Sequence, residues 1–174
     1  MWCKHSNLEQ AIRVPLFLFV PGLTKGKKYE KPGEFVDIYP TICELNGLSI
    51  GNYLDGKSLV PALKDNQNTI KEFAISQYPR AGIGTELDRE IMGYSLRTNQ
   101  YRFTEWVGNF FNTAKPFKKE DVKDIELYDL INDPLETKNI ANLPSMKEVV
   151  KILSDKLHSY YDQQYKTAGI IANQ

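Results

Sequence analysis

The sequence predicts an α/β chain in which one core strand and a helix are followed by a small antiparallel sheet packed by a C-terminal helix. Three observations predict it. Val14 to Val20 is an unbroken apolar run, the pattern of a strand covered on both faces. Phe35 to Leu45 repeats apolar residues at helical spacing. From Phe73 onward aromatic and polar residues alternate at the strand period, and a long amphipathic stretch closes the chain.

The first strand, Val14-Pro15-Leu16-Phe17-Leu18-Phe19-Val20, stops at Pro21-Gly22 and is too short to cross a bilayer. Burying Leu16, Phe17, Leu18 and Phe19 is worth about 1.5–3 kcal/mol each, so the partner strands matter. No second segment of comparable apolar density follows, and the partners are expected upstream of this sequence. The helix then puts Phe35, Ile38, Tyr39, Ile42 and Leu45 on one face. Asp37 serves as N-cap, Pro40 falls in the first turn, and Gly47 ends it. Thr24 to Lys31 is a Lys/Gly-rich loop open to an anion, with a solvated connector as the simpler reading. Gly51 to Asn68 is irregular apart from a helical turn near Leu59 to Leu63.

Phe73 to Tyr78 is a candidate strand. Met92 to Thr98 and Tyr101 to Val107 form a hairpin around Asn99-Gln100. Ile125 to Leu130 is a further strand, closed by the turn Asn132-Asp133-Pro134. Ser145 and Glu148 form a capping box that opens the last helix. Its apolar stripe runs through Met146, Val149, Val150, Leu153, Leu157 and Tyr160 or Tyr161, and the pattern is lost after about Tyr165.

At 174 residues, 41% hydrophobic and 25% charged, the chain suits one compact domain or slightly more, and excludes disordered and collagen-like classes. Lys+Arg 22 balance Asp+Glu 22, so no global field exists to hold nucleic acid or an anionic membrane. Neither nucleic acid nor a membrane span is expected. Two cysteines, Cys3 and Cys43, and two histidines, His5 and His158, exclude zinc fingers, disulfide scaffolds and Cys/His cages within the chain. The opening MWCKHSNLEQAIR is polar and shows no signal peptide. There is no glycine-rich phosphate loop, no H-E-x-x-H and no Ser/His/Asp set, and His158 lies on a polar part of the last helix.

One cluster combines a cation, an imidazole and an aromatic wall within a turn of chain: Lys4-His5 beside Trp2. The lysine is a compact charge suited to phosphate or sulfate oxygens, and His5 can hydrogen-bond or move a proton. From these residues alone, a solvated lysine and a surface histidine serve as well. Gln77, Tyr78 and Arg80 are polar and aromatic residues at a strand end that could reach a ligand, Tyr78-Pro79 being equally a strand terminator. Arg97 and Arg102 read as cross-strand partners, and Trp106, Phe110 and Phe111 as core packing or a sugar platform. Asp129, Asp133 and Glu136 read as turn and helix-start residues or as an acidic metal site.

The stretch Lys4-His5-Ser6-Asn7-Leu8-Glu9, Arg13-Val14-Pro15-Leu16 and Val20-Pro21-Gly22 resembles that of the type I sulfatases, where it runs from the active site into a core strand. Trp2-x-Lys4-His5-x-Asn7 is most similar to the iduronate-2-sulfatase branch. Further matches follow in order: Val36-Asp37-Ile38-Tyr39-Pro40-Thr41, Asp55-Gly56-Lys57-Ser58-Leu59, Ser76-Gln77-Tyr78-Pro79-Arg80, Met92 to Thr98, Tyr101 to Trp106, and Glu126-Leu127-Tyr128-Asp129-Leu130 through Asp133-Pro134-Leu135-Glu136 to Asn139. The likeness covers nearly the whole chain.

The resemblance implies the C-terminal portion of an alkaline-phosphatase-like sulfatase fold. Residues 1–68 would be the incomplete end of the large α/β domain, and residues 69–174 the antiparallel sheet and helix subdomain. It implies a hydrolase of sulfate monoesters, of sulfated uronic acids in glycosaminoglycan-like substrates, that acts through a formylglycine and a calcium ion. The formylglycine arises in a C/S-x-P-S-R motif that neither Cys3 nor Cys43 occupies, and the calcium-binding Asp-His pair falls upstream of Trp2. Lys4 alone matches a family active-site position, as the ammonium on the sulfate ester, with Trp2 and His5 lining the pocket and Gln77, Tyr78 and Arg80 reaching the sugar. By itself the chain is expected to be inactive and to need the missing N-terminal region of the same protein. Family members act in the periplasm, outside the cell or in lysosomes. Two other readings stand beside this one: a phosphodiesterase or phosphonate hydrolase of the same superfamily, and a non-catalytic carbohydrate- or protein-binding module.

Overall fold

The structure is a computed structural model that describes residues 6–79, 91–108 and 118–167. In chain order the helices are α1 (Glu9–Ile12), α2 (Ile38–Leu45), α3 (Val60–Lys64) and α4 (Lys147–Thr167). The strands are β1 (Ala74–Pro79), β2 (Ile91–Arg97), β3 (Tyr101–Gly108) and β4 (Val122–Asp129). Short 3-10 turns precede α2, β4 and α4. The chain falls into two compact units. One holds residues 6–13, 75–79, 91–96, 100–108 and 118–167 of the described set; the other holds 14–74 and 97–99.

The first unit is built on a four-stranded sheet in the order β1-β2-β3-β4. β3 and β4 pair antiparallel from Tyr101 opposite Asp129 to Val107 opposite Val122, with a register slip between Trp106 and Val107. In β3 every residue from Arg102 to Val107 is buried, and in β2 every residue from Met92 to Leu96, so the central strands are covered on both faces. Strand alternation sorts them. Helix α4 covers the face bearing Tyr94, Phe103 and Glu105: Tyr94 meets Tyr161 edge-on at 4.7 Å, and Glu105 meets Ser154 and His158. Leu96, Phe103, Val107, Leu127 and Leu157 lose all solvent exposure and form the core of this unit. Residues 7–9 lie on the other face, against Gly93 and Arg102.

The hairpin forms where the alternation predicted it. The last helix differs at its start: Ser145 lies inside the 3-10 turn Pro144–Met146, and α4 begins at Lys147. Pro144 explains the shift, because its fixed φ and missing N–H suit the first position of a helical turn. The helix also runs to Thr167, two residues past the expected end.

In the second unit the expected strand at Val14 to Val20 carries no regular structure. Phe17 is 89% exposed and Phe19 83%. A strand exists through its ladder partners, and this unit supplies none to the segment. The helix over 35–45 is present as the 3-10 turn Phe35–Asp37 followed by α2, and Gly47 ends it at φ 68°. Its apolar face is largely the exposed one. Phe35, Tyr39, Ile42 and Leu45 are exposed, whereas Asp37, Pro40, Thr41 and Cys43 are buried.

Hydrogen bonding explains the buried side. The Asp37 carboxylate does not cap α2 with its side chain; it accepts the N–H groups of Glu34 at 2.9 Å and Lys57 at 2.8 Å, and pairs with Lys71 at 2.7 Å. Thr41 Oγ1 donates to the Asp37 carbonyl and accepts from the Leu59 N–H. Burial pulls the Lys71 ammonium down, and its bonds to Asp37 and Glu34 more than offset this, holding its pKa above the usual lysine value. In the Lys/Gly-rich loop, Lys28 pairs with Glu30, and Lys31 donates to the Gln67 carbonyl and Thr69. The expected turn near Leu59 is α3, with Pro61 in its first turn.

Candidate functional site

Lys4, Trp2, His5 and Arg80 lie outside the described residues, as do Phe110 and Phe111. Gln77 and Tyr78 are neighbours on β1 and therefore face opposite ways. Gln77 is exposed and accepts from the Tyr161 hydroxyl of α4 at 3.5 Å. Ser76, on the face shared with Tyr78, donates to Asn7 Oδ1 at 3.2 Å. The structure thus turns Tyr78, and not Gln77, toward the side of the sheet where residues 7–9 lie.

Those residues are held by side chains drawn from distant parts of the sequence. Asn7 is 4% exposed, and its amide donates to the Gly93 carbonyl at 3.0 Å. Two residues on, the Glu9 backbone N–H donates to Glu136 Oε2 at 2.7 Å, and Glu9 Oε1 accepts from Arg102 Nη2 at 2.7 Å. Arg102 has no solvent exposure and donates through Nε to Glu136 Oε1 at 2.5 Å. The guanidinium therefore bridges two carboxylates, one from the start of the chain and one from the loop after β4. Fixed fork geometry suits arginine to this task.

Glu136 is placed by the turn that the Asn132-Asp133-Pro134 motif predicted. Asp133 Oδ2 accepts the N–H groups of Thr137 at 2.7 Å and Lys138 at 2.9 Å. The bond from Lys138 leads, with the Thr137 side chain and backbone adding to it, in holding the Asp133 carboxyl below the usual range. Burial alone would raise the Asp129 carboxyl, but bonds from Asn132, Gln100 and the Ile131 and Asn132 backbone hold it low. Glu136 itself sits at φ 54°, a left-handed conformation that a non-glycine residue rarely adopts. Tyr128, opposite Arg102 on β4, has its phenol pushed up to about 12 by burial, with the charges of Glu126 and Glu136 adding to it.

On the opposite face, Glu105 is buried and accepts from Ser154 Oγ at 2.7 Å, while His158 Nε2 lies 2.8 Å from its second oxygen. His158, read from the sequence as a residue on a polar helix face, ties α4 to β3. Trp106 is buried on the other side, close over Gly93.

Among the described residues no group of three or more His, Cys, Asp or Glu side chains converges as metal ligands. Asp129, Asp133 and Glu136 are spent on turn N–H groups and on Arg102. Cys43 is a buried free thiol without the sequence that formylglycine formation requires. Arg102, Glu136 and Gly93 instead fix residues 7–9 of the chain.

Arg102 and Glu136 stand out in the sequence with no sign that they pair, and Asn7 and Glu9 carry no signal of their own beyond the family motif. The available signal was a strand with charge on each of its two buried faces, Arg102 and Glu105. Such charges demand partners that only the fold identifies.

The family model described as N-sulphoglucosamine sulphohydrolase, C-terminal, matches residues 1–163. A sulfatase of Formosa agariphila is 30% identical over 94% of this chain and 28% of its own length. Human iduronate 2-sulfatase is 29% identical over 81% of this chain and 35% of its own length. The chain thus spans about a third or less of the curated relatives it matches. Among solved structures, the phosphonate monoester hydrolase of Agrobacterium radiobacter superposes with a TM-score of 0.54 at 24% identity, over 73% of this chain and 24% of that one.

Proposed function

Since the chain belongs to the sulfatase family of the N-sulphoglucosamine sulphohydrolase C-terminal model, we propose that it is the C-terminal part of an enzyme that hydrolyses sulfate monoesters of sulfated uronic acids in glycosaminoglycan-like chains. The observation that carries this reading is the match over residues 1–163. Residues 1–68 complete the large α/β domain and residues 69–174 form the antiparallel sheet and helix subdomain. Similarity to human iduronate 2-sulfatase supports the uronic-acid assignment. The exposed apolar segment at Phe17 and Phe19 supports a further N-terminal region of the same protein as partner.

In this reading the Lys4 ammonium contacts the sulfate ester and offsets charge that develops as the ester bond breaks. Trp2 and His5 line the pocket, and Tyr78 and Arg80 approach the sugar from the subdomain, Gln77 being turned to the α4 side of the sheet. The formylglycine nucleophile and the calcium ion belong to the upstream region, and the 174-residue chain alone turns over no substrate. The parent acts in the periplasm, outside the cell or in a lysosome. No helix among the described residues is long and apolar enough to cross a membrane.

The fold shared with a phosphonate monoester hydrolase favours one second reading, hydrolysis of phosphonate or phosphate esters. The deciding experiment expresses the parent reading frame and compares sulfate monoesters with phosphonate monoesters and phosphodiesters. Preference for sulfate, with turnover falling at least about a hundredfold in Lys4→Ala while Tm holds, supports the proposal. Unchanged turnover in Lys4→Ala removes the lysine from the site, and preference for the phosphorus esters selects the second reading.

A further inference from the structure

Residues 8–13 are fixed in an unusual way for a segment that leads into a predicted core strand. Helix α1 is one turn long, has no side-chain cap and buries no residue. Leu8, Ala11 and Ile12 are only half-buried, and a helix that short is not stable alone. What holds the segment is polar and converges from three distant places. Asn7 is tied to the Gly93 carbonyl and to Ser76, and Glu9 through its backbone to Glu136 and through its carboxylate to Arg102. These contacts bridge sequence separations of 69 to 127 residues.

We propose that Asn7, Glu9, Arg102 and Glu136 form a brace that fixes residues 7–9, and that through this segment they are positioning residues for Lys4 in the sulfate-ester reaction. The second half of this statement rests on the reading under Proposed function; the brace itself does not. A lysine side chain has four rotatable bonds, so its ammonium is aimed only if its backbone is held. The brace holds the segment from Asn7 to Glu9 two ways. Asn7 sets the depth of the segment over β2, and the Glu9–Arg102–Glu136 bridge sets its position along β3. Neither carboxylate nor guanidinium needs to touch substrate.

Two measurements test it. The first is hydrogen exchange at residues 9–13 in the 174-residue chain. Glu9→Ala is expected to speed exchange there by about tenfold or more, with the β3 amides unchanged, and Glu9→Gln, which keeps an acceptor for Arg102, to restore most of the protection. Equal protection in Glu9→Ala and the unaltered chain overturns the brace.

The second is turnover of 4-methylumbelliferyl sulfate by the parent polypeptide carrying Glu9→Ala, Lys4→Ala, or both. A positioning role predicts a fall in kcat of about tenfold for Glu9→Ala that disappears in the Lys4→Ala background, with the folded fraction unchanged. Additive losses, or a loss matching the unfolded fraction, assign Glu9 a structural role alone and overturn the positioning claim. A folded parent that cleaves no sulfate ester defeats the functional reading and the positioning claim with it, while the exchange result still decides the brace.

Discussion

Removing the Glu136 carboxylate leaves Arg102, wholly buried, with Glu9 as the remaining carboxylate on its fork. Glu136→Ala is therefore expected to destabilise the sheet unit by about 3–5 kcal/mol, the usual cost of breaking a buried pair from one side, read as a lower urea midpoint. Tyr128 gives a pH signature. Its phenol titrates near 10 in an unfolded chain and about 12 here, so the folded state holds the proton longer. That contribution to stability is complete below pH 10 and fades as the pH rises toward 12. Ultraviolet titration should show one tyrosine ionising about two units late, and Tyr128→Phe should remove that step and flatten the alkaline loss of stability. Little of this was visible in the sequence. Arg102 looked like a cross-strand partner, since the residue that neutralises it lies 34 positions away in a loop whose path the sequence does not give.

At the scale of elements, local pattern was enough for the hairpin. Its strands alternate and its turn is short, so the nearest pairing is also the right one. Helix α2 shows where pattern misleads. The three-and-four spacing located it correctly, but its apolar stripe faces outward while Asp37 and Thr41 anchor the inner side through hydrogen bonds. A moment of apolar residues shows that some surface will cover a helix face, not that this chain supplies it. The sheet offers a sharper test at Gly93, where an added Cβ would stand 2.6 Å from the Trp106 ring. Gly93→Ala is expected to cost about 1–3 kcal/mol through displacement of that ring, checked by thermal unfolding together with Trp fluorescence.

For the molecule as a whole, the apolar run after Arg13 decides what kind of object the chain is. Its density marked it as core, yet the chain leaves Phe17 and Phe19 in solvent, and it spans about a third or less of its relatives. Phe17→Ser with Phe19→Ser should shift the stability of the isolated chain by no more than about 0.5 kcal/mol per site, as for other surface changes. In the parent polypeptide the same pair should cost several kcal/mol, about what loss of core phenylalanines costs, measured by denaturant unfolding of both forms. The order of the chain adds a last point. Residues 6–13 and 75–79 share one unit, while 14–74 between them belong to another. The polypeptide thus makes an excursion and returns, and the Asn7–Ser76 bond spans the gap. A protease that nicks the excursion near Lys25 or Lys28 would sever the covalent tether without touching that bond. The leading peptide would then hold its place by affinity alone, turning an intramolecular fit into a dissociable one whose occupancy falls on dilution.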